Sequence, residues 1–244
     1  MGTCFPLPLF VRAVLTGPFQ DENYGAISAK QQQPGAQVAP SKLRHVLSDP
    51  LVLSLGLAST MFEGSMYLFV FFWGPALRAA RAAAAPASAA AGDLPYGIIF
   101  AAFMAAVLAA SLAFGLVTAR RLARHTSLLL GLLAASELVF YALGASAPGS
   151  LSEQATFWLF CLFEACVGLY WPSMGVLKGR LVDDGVRAQV YGFMRIPLNV
   201  FVVAALLLTG DGEAFAPVFA NCSKLLLAAC GAVLAMMLNQ DGLP

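Results

Sequence analysis

Residues 94–119 read LPYGIIFAAFMAAVLAASLAFGLVTA, a run without one charged side chain. Wound as a helix, it is apolar on every face, the mark of a helix buried in a large core or in lipid. A membrane helix needs about 20 such residues to cross a hydrocarbon layer of about 30 Å. The rest of the 244-residue chain decides between core and lipid. Hydrophobic residues make up 59% of it and charged ones 11%, where soluble domains carry about 25% charged. Mean hydropathy is +0.77. A globule of this size has too little polar surface to cover so much apolar side chain. Lipid is therefore the solvent.

Working outward, five more stretches qualify as spans: 51–77, 126–147, 155–177, 190–209 and 214–238. Alanine and leucine dominate and period-2 alternation is absent, so the spans are predicted to be helices rather than barrel strands. The expected fold is all-α, a polytopic six-helix transmembrane bundle over 49–240. Residues 1–48 precede it. Their glutamine run at 31–33, their glycines and prolines, and the lack of a long apolar run predict a largely flexible segment and linker. Residues 79–91, rich in alanine, read as a linker between the first two spans. A net charge of +1 gives no reason to expect nucleic acid. No zinc, phosphate-loop or serine-hydrolase motif is present, so no catalytic residue, metal site or cofactor is expected, and the chain reads as a non-enzyme. Cys161, Cys166, Cys222 and Cys230 fall inside apolar runs and imply no disulfide framework.

Lysine and arginine set orientation. One side carries Lys30, Lys42, Arg44, Arg120, Arg121, Arg124, Lys178, Arg180 and Arg187; the other carries Arg78 and Arg81. Both termini are predicted to be cytoplasmic.

Charges inside the spans are the informative exceptions. At mid-bilayer each costs about 2.5–3.5 kcal/mol on insertion scales, and such groups face a protein interior or a cavity. Glu63 shares a helix face with Ser59 and Tyr67. Glu164 shares one with Cys161, Gly168 and Trp171. For both acids two readings stand: a neutral carboxyl bonded to a neighbouring helix, or a coupling group in a cavity. Arg195, with Tyr191 and Asn199 one turn away on either side, reads as a snorkelling anchor or as a planar clamp for an oxyanion. Glu137, beside Tyr141, reads as structural. Lys224 reads as snorkelling or paired. Small residues at Ala101, Ala105 and Ala109, and at Ala102, Ala106 and Ala110, permit close helix packing.

Phe62-Glu63 followed by Trp73-Gly74-Pro75, and Phe163-Glu164 followed by Trp171-Pro172, repeat one pattern three spans apart. A repeat of an odd number of spans is inverted in the membrane. Paired, proline-interrupted helices in matching halves point to the binding site of a transporter.

Leu-Ser-Asp at 47–49, Phe62-Glu63, FVFFWGP at 69–75, PYGIIFAAFMAA at 95–106, GLYWPSM at 168–174 and FMRIPLN at 193–199 occur in that order. Together they resemble the C-terminal half of the molybdate-anion transporter family, the major facilitator superfamily domain-containing protein 5 group. Glu22-Asn23-Tyr24-Gly25 is similar to the start of that family's central loop. Residues 115–124 are a degenerate form of the superfamily's Asp-Arg-Gly-Arg loop, without its aspartate. The resemblance implies a twelve-helix transporter of molybdate in the plasma membrane, working by alternating access. The six spans here would be helices seven to twelve. Its implied partners are the lipid bilayer, a small oxyanion, and an N-terminal half or a second copy. Glu63 and Glu164 would then be coupling or gating groups, and Arg195, Asn199 and Tyr67 oxyanion donors. The rival expectation is a truncated, non-transporting bundle that only assembles with partner chains.

The charge asymmetry makes a direct prediction. On intact cells an impermeant thiol reagent should label Ser88→Cys and leave Gln33→Cys untouched; the reverse pattern inverts the topology.

Overall fold

The computed structural model describes Val46 and residues 48–84, 93–120, 124–146, 150–182, 185–209 and 215–241. Nearly all of the predicted N-terminal segment, residues 85–91 of the alanine-rich stretch, and Lys30, Lys42, Arg44 and Arg121 lie outside them. Among the described residues every regular element is a helix: α1 (Pro50–Ala84), α2 (Tyr96–Ala119), α3 (His125–Ala145), α4 (Glu153–Leu181), α5 (Arg187–Thr209) and α6 (Phe215–Asp241). All six are long and apolar enough to cross a membrane. They belong to one unit of the chain, from residue 39 onward.

The helix ends follow local chemistry. Asp49 caps α1 by accepting from the Leu51 N–H at 2.9 Å, and Pro50 takes the first helical position, where its missing N–H costs nothing. Ser152 caps α4, accepting from the Ala155 N–H at 3.1 Å. Glu153 in the first turn and Lys178 and Arg180 in the last complement the helix dipole. Two expectations need correction. Helix α1 does not end at 77 but continues to Ala84, through the first part of the predicted linker. Alanine is the best helix former, and nothing before Pro86 stops the winding. Helix α4 continues to Leu181, so Lys178 and Arg180 are helical residues and not loop residues.

The packing places α1 and α4 at the centre. Helix α1 touches α4, α5 and α6, while α4 touches α1, α2 and α3; α3 also packs on α6. Exchange α1, α2, α3 with α4, α5, α6, and every one of these pairings maps onto another or onto itself. The bundle therefore has the two-fold relation that the repeated Phe-Glu pattern suggests. Helices α2 and α5 flank the centre and leave most of their surface uncovered.

Side chains at the crossing of α1 and α4 obey the same exchange. A step of 101 positions carries Glu63 to Glu164, Phe62 to Phe163, Phe69 to Tyr170 and Ser59 to Phe160. Phe62 meets Phe163 with ring centroids 5.9 Å apart. On one side of this pair Phe62 stacks on Tyr170 at 4.1 Å; on the other Phe163 meets Phe69 at 4.9 Å. The same step does not carry Trp73 to Trp171 or Pro75 to Pro172, so that part of the repeated pattern is out of register.

Close approach elsewhere depends on small residues. Gly168 of α4 lies against the Val107 carbonyl of α2, and its own carbonyl accepts from Ser111 Oγ at 2.9 Å. Of the two alanine rows on α2, the one at 102, 106 and 110 is partly or fully buried, and Ala110 meets Gly168; the row at 101, 105 and 109 is exposed. Only the first row packs, because it is the one that faces α4.

Gly168→Ala would set its Cβ on the Val107 carbonyl oxygen and 3.0 Å from the Ala110 Cβ. It should cost about 1–3 kcal/mol, the range for overpacking, measured as a fall in thermal midpoint in detergent. Gly115→Ala, where no heavy atom lies within 4 Å, should be neutral or slightly stabilising.

Candidate functional site

Where α1 and α5 begin and α4 ends, the three helices line an open cavity of about 310 Å³. Helix α1 contributes Ser59, Thr60 and Glu63, α4 contributes Trp171 and Lys178, and α5 contributes Tyr191 and Arg195. Glu63 sits 13 residues into α1, roughly 20 Å along its axis at 1.5 Å per residue. Arg195 stands roughly 12 Å along α5, and Lys178 lies in the last turn of α4. The charges thus reach the cavity from three helices and at different depths.

Glu63 is 6% exposed, and its Oε1 is the hub of a polar network. Ser59 Oγ donates to it at 2.7 Å and the Tyr170 hydroxyl at 2.8 Å. Lys178 Nζ stands 3.7 Å away. Lys178 also donates to Ser59 Oγ at 2.9 Å, and its ammonium lies 5.6 Å from the centre of the Tyr191 ring. These partners stabilise a charge that lipid or a dry core would not tolerate. Arg195 differs: among the described residues no hydrogen bond or ion pair occupies its guanidinium, which is exposed and lines the cavity. It is near enough to Lys178 for like-charge repulsion between them. Two cations and one carboxylate give the cavity wall a net positive charge, and one cation has all its donors available. Such a wall suits an anion, and the planar guanidinium suits an oxyanion.

The structure brings together only some of the residues singled out in the sequence. Glu63, Ser59, Arg195 and Tyr191 share the cavity. Tyr67 and Asn199 are exposed and stand one turn farther along α1 and α5, outside the lining. Glu164 is 8% exposed and lies outside the lining too; no hydrogen bond reaches its carboxyl among the described residues. Its place in the two-fold relation explains the difference. The step of 101 positions that turns Glu63 into Glu164 exchanges Ser59 for Phe160, Tyr170 for Phe69 and Lys178 for Leu77. The partners of one acid are polar; their counterparts are apolar and buried. Glu137 accepts from Ser223 Oγ at 3.0 Å and so bridges α3 to α6.

Lys178 and Tyr170 are the residues that sequence reasoning missed. By sequence Lys178 counts among the cations that set orientation, and Tyr170 stands only within the GLYWPSM run at 168–174. The available signal was spacing: Lys178 falls 14 positions after Glu164 and seven after Trp171, which is one helix face. That signal matters only once the helix is known to extend past 177.

The ion pair makes the site's stability testable. Lys178→Met strands a buried carboxylate and should cost about 3–5 kcal/mol, the range for breaking a buried pair. Glu63→Gln combined with Lys178→Met should cost clearly less than the two single changes added together. Thermal midpoints of the four proteins close the cycle; additive losses would dissolve the pair.

The profile of a transporter family described as sugar transporters with 12 transmembrane segments matches residues 6–165. A molybdate-anion transporter of Takifugu rubripes is 32% identical over 206 residues, which cover 80% of this chain and 40% of that protein. One from Danio rerio is 34% identical over 206 residues, again 80% and 40%. One from Xenopus laevis is 31% identical over 228 residues, 91% of this chain and 47% of its own length. The chain thus spans less than half the length of the curated relatives it matches. No solved structure matches it.

Proposed function

The chain belongs to the major facilitator family of twelve-span sugar transporters, and from that premise we propose that it is the C-terminal half of an oxyanion transporter, with molybdate as its substrate. The relatives named molybdate-anion transporters support the choice of anion. The observation that carries the reading is the cavity wall formed by Glu63, Lys178 and Arg195.

In this reading Arg195 receives the oxyanion first, because no hydrogen bond or ion pair among the described residues occupies its donors. Lys178 then turns from Glu63 to the anion, since a dianion attracts it more strongly than one carboxylate does. Glu63 keeps Ser59 and Tyr170 but loses its cation, and a proton restores the balance. Anion and proton would travel together as this bundle rocks against a partner half in alternating access. Tyr67 and Asn199, one turn farther along, offer the next donors on the route. Glu164 is the second candidate coupling or gating acid. We place the protein in the plasma membrane with both termini cytoplasmic, and the 49–240 bundle as its transporting domain with 1–48 as a cytoplasmic linker.

The test uses the chain completed with an N-terminal half, in vesicles, with molybdate counted by elemental mass spectrometry. Glu63→Gln or Glu164→Gln should preserve folding and abolish uphill uptake while leaving downhill anion exchange. Arg195→Lys keeps the charge and loses the planar fork, so it should weaken apparent anion affinity about tenfold, a cost of about 1.4 kcal/mol. Wild-type uphill uptake in both glutamine variants removes the coupling role. No uptake by any completed form supports the rival, a bundle that only assembles.

A further inference from the structure

The back of the bundle carries a polar feature that the cavity does not use. The cavity is lined by α1, α4 and α5, whereas α3 and α6 pack on each other away from it. Lys224 lies exposed on α6, nine residues from its start, and Glu137 lies half-buried on α3, eight residues from its end. Both stand roughly 12–14 Å below the same end of the bundle at 1.5 Å per residue. That depth is inside the hydrocarbon.

Neither charge is well matched within the chain. Among the described residues Lys224 reaches only the Asn221 side chain, at 3.5 Å, the outer limit of a hydrogen bond. Glu137 receives one hydroxyl, from Ser223, and no cation lies within ion-pair distance among the described residues. An ammonium facing lipid at this depth is costly, and intramembrane charges pair with one another. The two signs sit on adjacent helices at one level. A two-fold axis along the membrane normal keeps that level and brings Lys224 of one chain to Glu137 of the other, twice. The patch is therefore self-complementary, as a symmetric dimer interface must be. Gly131 on α3 and Gly231 on α6 are exposed with open space over their Cα atoms, so backbones can approach closely there.

We propose that the α3–α6 face is the contact surface for a second copy of this chain, held by reciprocal Lys224–Glu137 pairs. This contact is separate from the cavity and independent of the substrate assigned above.

The experiment co-expresses two differently tagged full chains and measures capture of one through the other after gentle solubilisation. Wild-type chains should capture each other. Lys224→Glu chains set like charges opposite one another and should lose self-capture by at least about tenfold, and Glu137→Lys chains should do the same. Mixing Lys224→Glu with Glu137→Lys should restore capture to near the wild-type level, because each copy then meets the opposite sign. Pairing within one chain cannot give that rescue. Size-exclusion profiles of each variant report its folding. If a reversal misfolds, Lys224→Gln and Glu137→Gln should lower capture in its place. Absence of wild-type capture, failure of the mixed pair between monodisperse variants, or unchanged capture in the glutamine variants overturns the proposal.

Discussion

Helices α1 and α4 cross at one aromatic contact, Phe62 against Phe163, and the rest of the bundle is arranged around it. Flat, rigid aromatic side chains fill this crossing without long flexible arms. Phe69 and Tyr170 extend the contact on either side. With this layer fixed, each central helix has one face for a flanking helix and another for the pair α3–α6. The two-fold exchange of helices thus has a local cause: the residues at the crossing are themselves related by one step along the chain.

Polarity enters where that relation breaks. A hydroxyl on one ring, a serine in place of a phenylalanine and a lysine in place of a leucine convert one side of the crossing into a polar network around Glu63. The other side stays apolar around Glu164. The contrast follows from the cost of burying charge. A carboxylate is retained in a dry interior when hydrogen bonds and a cation compensate its lost hydration. Three substitutions at symmetric positions supply those partners to one glutamate and withhold them from the other. Arg195 adds a second cation from the loosely packed α5, where no hydrogen bond or ion pair among the described residues holds its donors.

The lipid acts as solvent for everything outside this network. Exposed leucines and phenylalanines along α2 and α5 need no further explanation in a bilayer, because lipid tails are as apolar as they are. The polar exceptions therefore stand out. Apart from Glu164 and Asn199, the charged and amide side chains fall at the cavity, at the ends of the helices and along the α3–α6 seam. At the opposite end from the cavity, Arg81 holds Glu153 through two hydrogen bonds, at 2.6 and 3.0 Å, and also bonds the Asp93 carbonyl. It ties the end of α1 to the start of α4, so the two central helices are joined at that end as well as at their crossing.

The sequence by itself determined the class of the molecule, because apolar content over spans of 20 or more residues is a local property that lipid reads directly. It also marked Glu63 and Arg195, since charge in such a span is exceptional wherever the chain folds. Their partners could not be read that way. Lys178 is 115 positions from Glu63 and Tyr170 is 107. No local rule distinguishes a lysine in the last turn of a helix that snorkels from one that turns inward. Nor could the sequence separate Glu63 from Glu164, which share the same local context, or show that Tyr67 and Asn199 stand one turn outside the cavity. Those outcomes depend on which helix face meets which neighbour. That is decided by the packing of α1, α4 and α5 together, because a charge is stabilised by the groups that surround it in space rather than by those beside it in the chain.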